Sequence, residues 1–112
     1  MAEDLREVVS EDCLNELRES EVVIVYKHSN RCAISWGAKR EIDRFLEGAP
    51  GVPVYLIDVV KNRALSLKAA EMLGVKHQSP QAILLRSGEV KEHTSHGRIT
   101  ASLLNGWVSA PD

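Results

Sequence analysis

Short apolar runs alternate along this chain with longer segments in which apolar residues recur every three or four positions. A run such as VVIVY is typical of a strand buried on both faces of a parallel sheet, and the three-and-four spacing is typical of an amphipathic helix. The pattern predicts four helices and four strands. In chain order they are a helix Glu11 to about Glu19, a strand Val22–Tyr26, a helix from Cys32 or Ala33 to Gly48, a strand Val52–Val59, a helix Arg63–Leu73, strands Gln81–Leu85 and Glu89–Thr94, and a helix from the cap Thr100 to about Val108.

Capping and turn residues support these boundaries. Ser10 and Thr100 are good helix N-caps, since their hydroxyls can accept a hydrogen bond from a free backbone N–H group. Gly48 and Gly74 stand where glycine commonly ends a helix. Between the last two strands, Ser87-Gly88 is a two-residue turn of the kind that joins a β-hairpin.

The order of the elements indicates the fold. Strands that alternate with helices imply right-handed βαβ crossovers and a parallel strand pair, and the closing hairpin adds an antiparallel edge. This is the layout of a thioredoxin-like domain. We therefore predict a three-layer α/β/α fold with a mixed four-stranded sheet, an extra N-terminal helix and no N-terminal strand. The length of 112 residues suits one domain, residues 1–112, with a single core.

Composition narrows the classes of partner. The chain has 44% apolar and 27% charged residues, as globular proteins do, and a formal net charge of −2. Its lysines and arginines are scattered, so no basic patch for nucleic acid is formed. The apolar runs are far shorter than the roughly 20 residues that cross a membrane, and the N-terminus does not resemble a secretory signal. We expect a cytoplasmic protein that binds neither nucleic acid nor membrane.

Cys32 stands where a buried strand gives way to a helix. A thiol is nucleophilic as thiolate, and an ordinary cysteine with a pKa of about 8.5 is mostly protonated at neutral pH. Free N–H groups at the start of a helix lower that pKa, and so would the positive charges of Arg31, Lys27 and His28. We therefore predict a reactive thiolate at Cys32. The alternative is a small buried apolar residue, which the polar stretch HSNR before it disfavours.

Ser35 occupies the position where a dithiol protein carries its second cysteine. Its hydroxyl is expected to donate a hydrogen bond to the Cys32 sulfur, but it cannot form a disulfide. A Cys-x-x-Ser motif can attack a mixed disulfide and accept the adduct, after which another thiol must complete the cycle. The motif thus favours monothiol exchange. Cys13 lies on the apolar stripe of the first helix, which favours packing over a resolving or regulatory role.

The segment KHQSPQ contains His77, Ser79 and Pro80 and directly precedes a buried strand. Pro80 fits the first residues of a strand or a cis peptide in a tight turn, although only about 5–6% of X–Pro bonds in folded proteins are cis. In thioredoxin-like folds the proline before the third core strand is cis and faces the reactive cysteine. That expectation rests on analogy with the fold.

The four histidines, His28, His77, His93 and His96, form no recognisable metal motif. No Cys-x-x-Cys pair and no His-Glu-x-x-His helix accompanies the HTSH segment, so we expect hydrogen-bonded or solvated histidines and no metal site. The sequence also lacks a glycine-rich phosphate loop, a G-x-S-x-G elbow and a dinucleotide fingerprint.

Three stretches together resemble the monothiol bacilliredoxin family, the thioredoxin-like proteins of the bacillithiol system. They are KHSNRCAIS at 27–35, GVKHQSPQAILLRSGEV at 74–90 and SHGRIT at 95–100. The family pattern has Lys-His-Ser leading into Cys-Pro-Ile-Ser, a His-x-Ser-Pro-Gln segment, and Ser-His followed by Ile-Thr. The similarity extends from about Val22 to Val108 and is far more specific than a Cys-x-x-Ser motif alone.

The resemblance implies removal of bacillithiol from mixed disulfides on other proteins. Bacillithiol would be a co-substrate, no cofactor would be bound, and the partners would be bacillithiolated proteins. The Ser79 backbone would pair with the substrate peptide. The residues assigned to the site are the nucleophile Cys32, the motif serine Ser35, the cis-proline Pro80, and Arg31, His77 and Ser79, which together with Pro80 bind substrate.

Two positions depart from the family pattern. Ala33 replaces the usual proline after the cysteine, and Gly97 stands where an aromatic residue is common.

Two alternative functions stay open. One is a monothiol glutaredoxin-like protein that uses another low-molecular-weight thiol, although the Cys-Gly-Phe-Ser motif of such proteins is absent. The other is a thioredoxin-like binding module in which Cys32 has no catalytic role.

Overall fold

The computed structural model describes residues 4–48 and 50–110. Five strands and four helices follow one another along this part of the chain. They are β1 (Leu5–Glu7), α1 (Glu11–Glu19), β2 (Val22–His28), α2 (Ala33–Glu47), β3 (Val54–Asp58), α3 (Arg63–Leu73), β4 (Gln81–Arg86), β5 (Glu89–Ser95) and α4 (Ala101–Ser109), with a short 3-10 helix at His96–Arg98.

The five strands form one mixed sheet in the order β1-β3-β2-β4-β5. β1 and β2 both pair with β3 in parallel, whereas β4 runs antiparallel to β2 and to β5. β2 is therefore the central strand. Val25 of β2 pairs with Tyr55 of β3 on one side and with Ile83 of β4 on the other.

The predicted sheet of four strands without an N-terminal strand is wrong in its strand count. Leu5–Glu7 forms a fifth strand that pairs with Val54–Leu56. This segment has only three residues, and Arg6 and Glu7 are exposed, so it carries no apolar run that a sequence pattern could detect. Its strand conformation depends on the neighbouring strand. The thioredoxin-like α/β fold and the other eight elements are as predicted, with ends that differ by one or two residues.

Apolar side chains pack on both faces of the sheet because the residues of β2 alternate between them. Ile24 and Tyr26 contact the core formed with α2 and α4, whereas Val23 and Val25 contact the core formed with α1 and α3. The molecule thus has helices on both sides of the sheet, in three layers. This arrangement gives the two faces of β2 different neighbours, which decides where each polar side chain near its end lies.

The predicted helix caps are confirmed. The Ser10 hydroxyl accepts a hydrogen bond from the Cys13 N–H group at 3.4 Å, and the Thr100 hydroxyl accepts one from the Leu103 N–H group at 3.1 Å. Gly74 ends α3 in the left-handed conformation at φ 68°. Among residues 4–48 and 50–110, no helix is long and apolar enough to cross a membrane.

We expect Gly88→Ala to lower the free energy of unfolding by about 1–3 kcal/mol. Gly88 has φ 81°, and a Cβ atom there would lie 2.7 Å from the backbone oxygen of Arg18. Both effects penalise any side chain at this turn. Chemical denaturation measures the change.

Gly97→Ala is the matched control, because a Cβ atom at Gly97 would meet nothing within 4 Å. We expect its unfolding free energy to stay within about 0.5 kcal/mol of the wild type. Equal denaturation midpoints for the two variants would contradict the predicted clash.

Candidate functional site

Cys32 is the N-cap residue of α2 and follows β2 after the loop 29–31. Its own N–H group donates to the Ser29 carbonyl at 3.2 Å, and its carbonyl accepts from the Trp36 N–H group at 3.3 Å. The backbone is therefore held on both sides of the cysteine. The side chain is half-exposed and forms no disulfide, so the thiol is open to a reaction partner.

The pKa of the Cys32 thiol lies below its ordinary value. The largest cause is the backbone N–H group of Ser35, followed by that of Ile34, and slight burial opposes them. Both N–H groups belong to the first turn of α2, where backbone donors have no partner within the helix. Backbone groups at the start of α2 are thus the main causes of the lowered pKa.

The side chains predicted to assist Cys32 by charge do not do so. Lys27 is buried on the face of the sheet that packs against α3, where its Nζ atom bonds to the Ser66 carbonyl. His28 is buried as well, and burial lowers its pKa, so the ring is neutral at neutral pH. Arg31 is exposed, and its guanidinium is absent from the causes of the Cys32 shift. The thiol is activated by backbone groups.

Ser35 is fully buried one turn into α2. Its hydroxyl makes the smallest of the contributions that lower the Cys32 pKa, and it has no partner in hydrogen-bond geometry among the described residues. The expected hydroxyl-to-sulfur hydrogen bond is therefore not formed here. Ser35 acts on the sulfur mainly through its backbone.

Tyr26 lies beneath the first turn of α2 and was not singled out from the sequence. Its hydroxyl contacts the Ser35 carbonyl at 2.8 Å and the His28 Nδ1 atom at 2.9 Å. The alternation of β2 was the available signal, since Tyr26 shares a face with Ile24, which packs against α2. A buried tyrosine hydroxyl needs a polar partner, and the head of α2 supplies one.

Trp36 closes the loop that carries Cys32. Its indole N–H group donates to the Asn30 carbonyl at 3.0 Å, and its ring meets the His28 ring edge to face at 4.8 Å between centroids. Trp36 is nevertheless 46% exposed. An exposed aromatic ring beside the thiol offers a surface that an incoming molecule can contact.

Pro80 lies at the same end of the sheet as Cys32, where β2 ends and β4 begins. Lys27 near the end of β2 pairs with Gln81 at the start of β4. The loop after β2 and the segment before β4 therefore lie next to each other at the same end of the sheet. The Ser79–Pro80 peptide bond is cis, as the resemblance implied. Ser79 is half-buried, and its hydroxyl has no partner among the described residues.

His77 belongs to a second polar cluster, on the α3 face of the sheet. Lys27 Nζ lies 3.0 Å from His77 Nδ1 and 3.1 Å from the Ser66 carbonyl, and the Ser66 hydroxyl lies 3.3 Å from the same His77 nitrogen. Burial lowers the pKa of Lys27 to about 8. Burial, and then the charges of Lys27 and Arg63, lower the pKa of His77. No carboxylate of the described residues forms an ion pair with Lys27.

Within residues 4–48 and 50–110, no group of three or more His, Cys, Asp or Glu side chains is placed to hold a metal ion. Cys13 packs against the core on the α1 and α3 face, whereas Cys32 begins a helix on the opposite face. The fold thus does not bring the two thiols together.

We expect Lys27→Met to change how stability depends on pH. The folded-state pKa of Lys27 is about 8, below the ordinary 10.5, so the unfolded chain binds more protons between these values. The burial penalty is therefore fully present below pH 8 and disappears as the pH rises towards 10.5. The wild type should therefore gain on the order of 2–3 kcal/mol of stability between pH 7 and pH 10 relative to Lys27→Met, which lacks the titrating amine.

Denaturant titrations at several pH values measure this difference. Lys61→Met is the control, because the Lys61 side chain is 70% exposed and makes only a long ion pair of 3.9 Å with Glu7. Its stability relative to the wild type should vary little over the same range. A parallel pH profile for both variants would show that Lys27 is not buried in its charged form.

Comparison with solved structures agrees with this architecture. A suspected oxidoreductase with a thioredoxin fold is 31% identical over 96% of both chains, with a TM-score of 0.87. A thioredoxin from Trypanosoma brucei brucei is 17% identical over 94% of this chain and 88% of its own, with a TM-score of 0.76. A Fasciola hepatica thioredoxin is 16% identical over 93% of this chain and 96% of its own, with a TM-score of 0.72.

A match to a protein-family model is more specific than these structural similarities. The model of the monothiol bacilliredoxin BrxC matches residues 3–104, nearly the whole chain. Together with the oxidoreductase neighbour, this match supports thiol–disulfide exchange as the class of chemistry. The chain belongs to the monothiol bacilliredoxin BrxC family.

Proposed function

We propose that this protein removes bacillithiol from protein mixed disulfides, with Cys32 as the nucleophile. One observation carries the proposal: an open thiol with a lowered pKa begins α2 in a chain of the bacilliredoxin family. Ser35 at the third position after it excludes an internal disulfide within the motif. The enzyme is thus a monothiol thiol–disulfide oxidoreductase.

The reaction consists of two thiol–disulfide exchanges. In the first, the Cys32 thiolate attacks the bacillithiol sulfur of the mixed disulfide, that S–S bond breaks, and the protein thiolate leaves and takes a proton from water. Cys32 then carries bacillithiol as a mixed disulfide. In the second, a bacillithiol thiolate attacks the bacillithiol sulfur of this adduct, releasing the Cys32 thiolate and bacillithiol disulfide. Bacillithiol is the co-substrate, and no bound cofactor takes part.

The segment before β4 is the proposed substrate-binding element. The Ser79 backbone pairs with the peptide of the bacillithiolated protein, and Pro80 borders the same site. The position of this segment at the end of the sheet where Cys32 lies supports this role. Arg31 is exposed next to the nucleophile and contacts the substrate there. His77 contacts it from the segment before Pro80, while its Nδ1 atom faces Lys27 and Ser66.

The cellular setting follows from the same chemistry. A monothiol enzyme needs a pool of reduced low-molecular-weight thiol to release its adduct. The cytoplasm keeps thiols reduced, so we place the reaction there. The partners are bacillithiolated proteins and bacillithiol itself.

Intact mass spectrometry after incubation with bacillithiol disulfide tests the first exchange. We expect one bacillithiol adduct, mapped to Cys32, that forms faster than the adduct from glutathione disulfide under the same conditions. Cys32→Ser should lose this adduct, because the hydroxyl is not ionised at neutral pH. Cys13→Ala should form the Cys32 adduct at the wild-type rate, because Cys13 packs on the α1 and α3 face, opposite the helix that Cys32 begins.

A faster glutathione adduct would instead assign the protein to another low-molecular-weight thiol. Absence of any adduct with both disulfides would leave a thioredoxin-like binding module with an unreactive cysteine. An adduct on Cys13 that is required for turnover would give that residue a resolving role.

A further inference from the structure

The Tyr26 hydroxyl has one proton but two hydrogen-bonding neighbours. It lies 2.8 Å from the Ser35 carbonyl oxygen and 2.9 Å from His28 Nδ1, and Tyr26 is fully buried. A carbonyl oxygen can only accept a hydrogen bond, so Tyr26 must donate to Ser35. The proton in the other hydrogen bond must therefore come from His28.

This requirement assigns the tautomer of His28. A proton on Nδ1 lets the imidazole donate to the Tyr26 oxygen, and a neutral ring then carries none on Nε2. Protonation of the ring at low pH adds a proton to Nε2 and leaves the Nδ1–H group in place. The chain of hydrogen bonds from His28 through Tyr26 to the Ser35 carbonyl is thus compatible with both charge states of His28.

This chain of hydrogen bonds ends at Ser35, the residue that lowers the Cys32 pKa most. The Ser35 N–H group is the largest cause of the lowered Cys32 pKa. The Ser35 N–H group lies in the preceding peptide plane, which the helical φ and ψ angles of Ser35 join to the plane of this carbonyl. Holding the carbonyl therefore limits reorientation of the N–H group. Electrostatic coupling is present as well: burial, then Asp43, then the Cys32 thiolate raise the pKa of Tyr26.

We propose that Tyr26 is a positioning residue for Cys32, whose hydroxyl, itself held by His28, fixes the first turn of α2 so that backbone N–H groups face the sulfur. The inference deepens the proposed function, since it rests on Cys32 as the reactive thiol. It assigns a role in thiol activation to a side chain that does not itself touch the substrate.

A purely structural role for Tyr26 predicts a different behaviour. If the ring served only to fill the core, phenylalanine would replace it without effect on the thiol. Tyr55 offers a matched comparison, because it is a buried tyrosine on the neighbouring strand whose hydroxyl accepts from Arg6 at 3.1 Å. Tyr55 belongs to the core on the other face of the sheet, away from α2.

The test measures the Cys32 pKa from the pH dependence of alkylation by iodoacetamide, in a Cys13→Ala background with one thiol. Tyr26→Phe should raise the pKa by about half a unit to one unit, which lowers the alkylation rate roughly 3- to 10-fold at pH values below the pKa. The rate at high pH, where the thiol is fully ionised, should change little. Tyr55→Phe should leave the pKa within about 0.2 units.

His28 provides a second pair of variants. The side-chain N–H group of asparagine can occupy the place of histidine Nδ1–H, whereas leucine has no donor. We expect His28→Leu to raise the Cys32 pKa and His28→Asn to restore it towards the parent value. This pair decides the matter if Tyr26→Phe does not fold.

An unchanged Cys32 pKa in folded Tyr26→Phe overturns the proposal, and so does an equal shift in Tyr55→Phe. Equal pKa values in His28→Leu and His28→Asn overturn the proposal as well, because Tyr26 is proposed to act while it is held by His28. The proposed function is tested separately by the adduct with bacillithiol disulfide, which the alkylation assay does not use. A pKa shift in Tyr26→Phe without a wild-type adduct would keep the positioning role and reject bacillithiol.

Discussion

The pairing of β2 on both sides is the constraint on which the rest of the site depends. Because β3 and β4 occupy its two edges and helices cover both of its faces, all of its residues from Val23 to His28 are buried. Polar side chains at the end of this strand must then find partners inside the protein. Tyr26 finds them at the head of α2, and Lys27 finds them on the opposite face, at Ser66 and His77. Alternation along one strand thus separates two polar clusters that adjoin in sequence.

This separation explains why backbone groups activate the thiol. An exposed cation near Cys32 would be screened by salt and would lose its effect with distance. N–H groups at the start of α2 are part of the helical backbone, so they act on the sulfur without any charged side chain. The departure at Ala33 from the family's proline therefore leaves the main source of activation, the N–H groups of Ser35 and Ile34, in place. What the helix needs is an anchor for its first turn, and a buried hydroxyl below it is suited to that task.

Much of the fold could be predicted because local signals agree with tertiary ones. The bounds of α1 and α3 were predicted from Ser10 and Gly74, whose capping roles are encoded in a few neighbouring residues. β1 could not be predicted, since its conformation comes from pairing with β3. At the site, the position of Cys32 was predictable from the change of period along the chain. The neighbours of Lys27 and His28 were not, because they depend on which face of the sheet each side chain occupies.

The sheet also separates Cys13 from Cys32, and this limits how many thiols of one molecule can take part in one exchange. The pKa of Cys13 is also lowered. The largest cause is a hydrogen bond with the Ser10 hydroxyl, followed by one with the Val9 backbone. Yet it belongs to the helix layer opposite Cys32, and a disulfide demands close approach and aligned side chains. Two activated thiols held apart in this way cannot resolve each other without a large movement of the backbone. In the function proposed above, an adduct on Cys32 is therefore left for a second molecule to release, which agrees with a monothiol cycle.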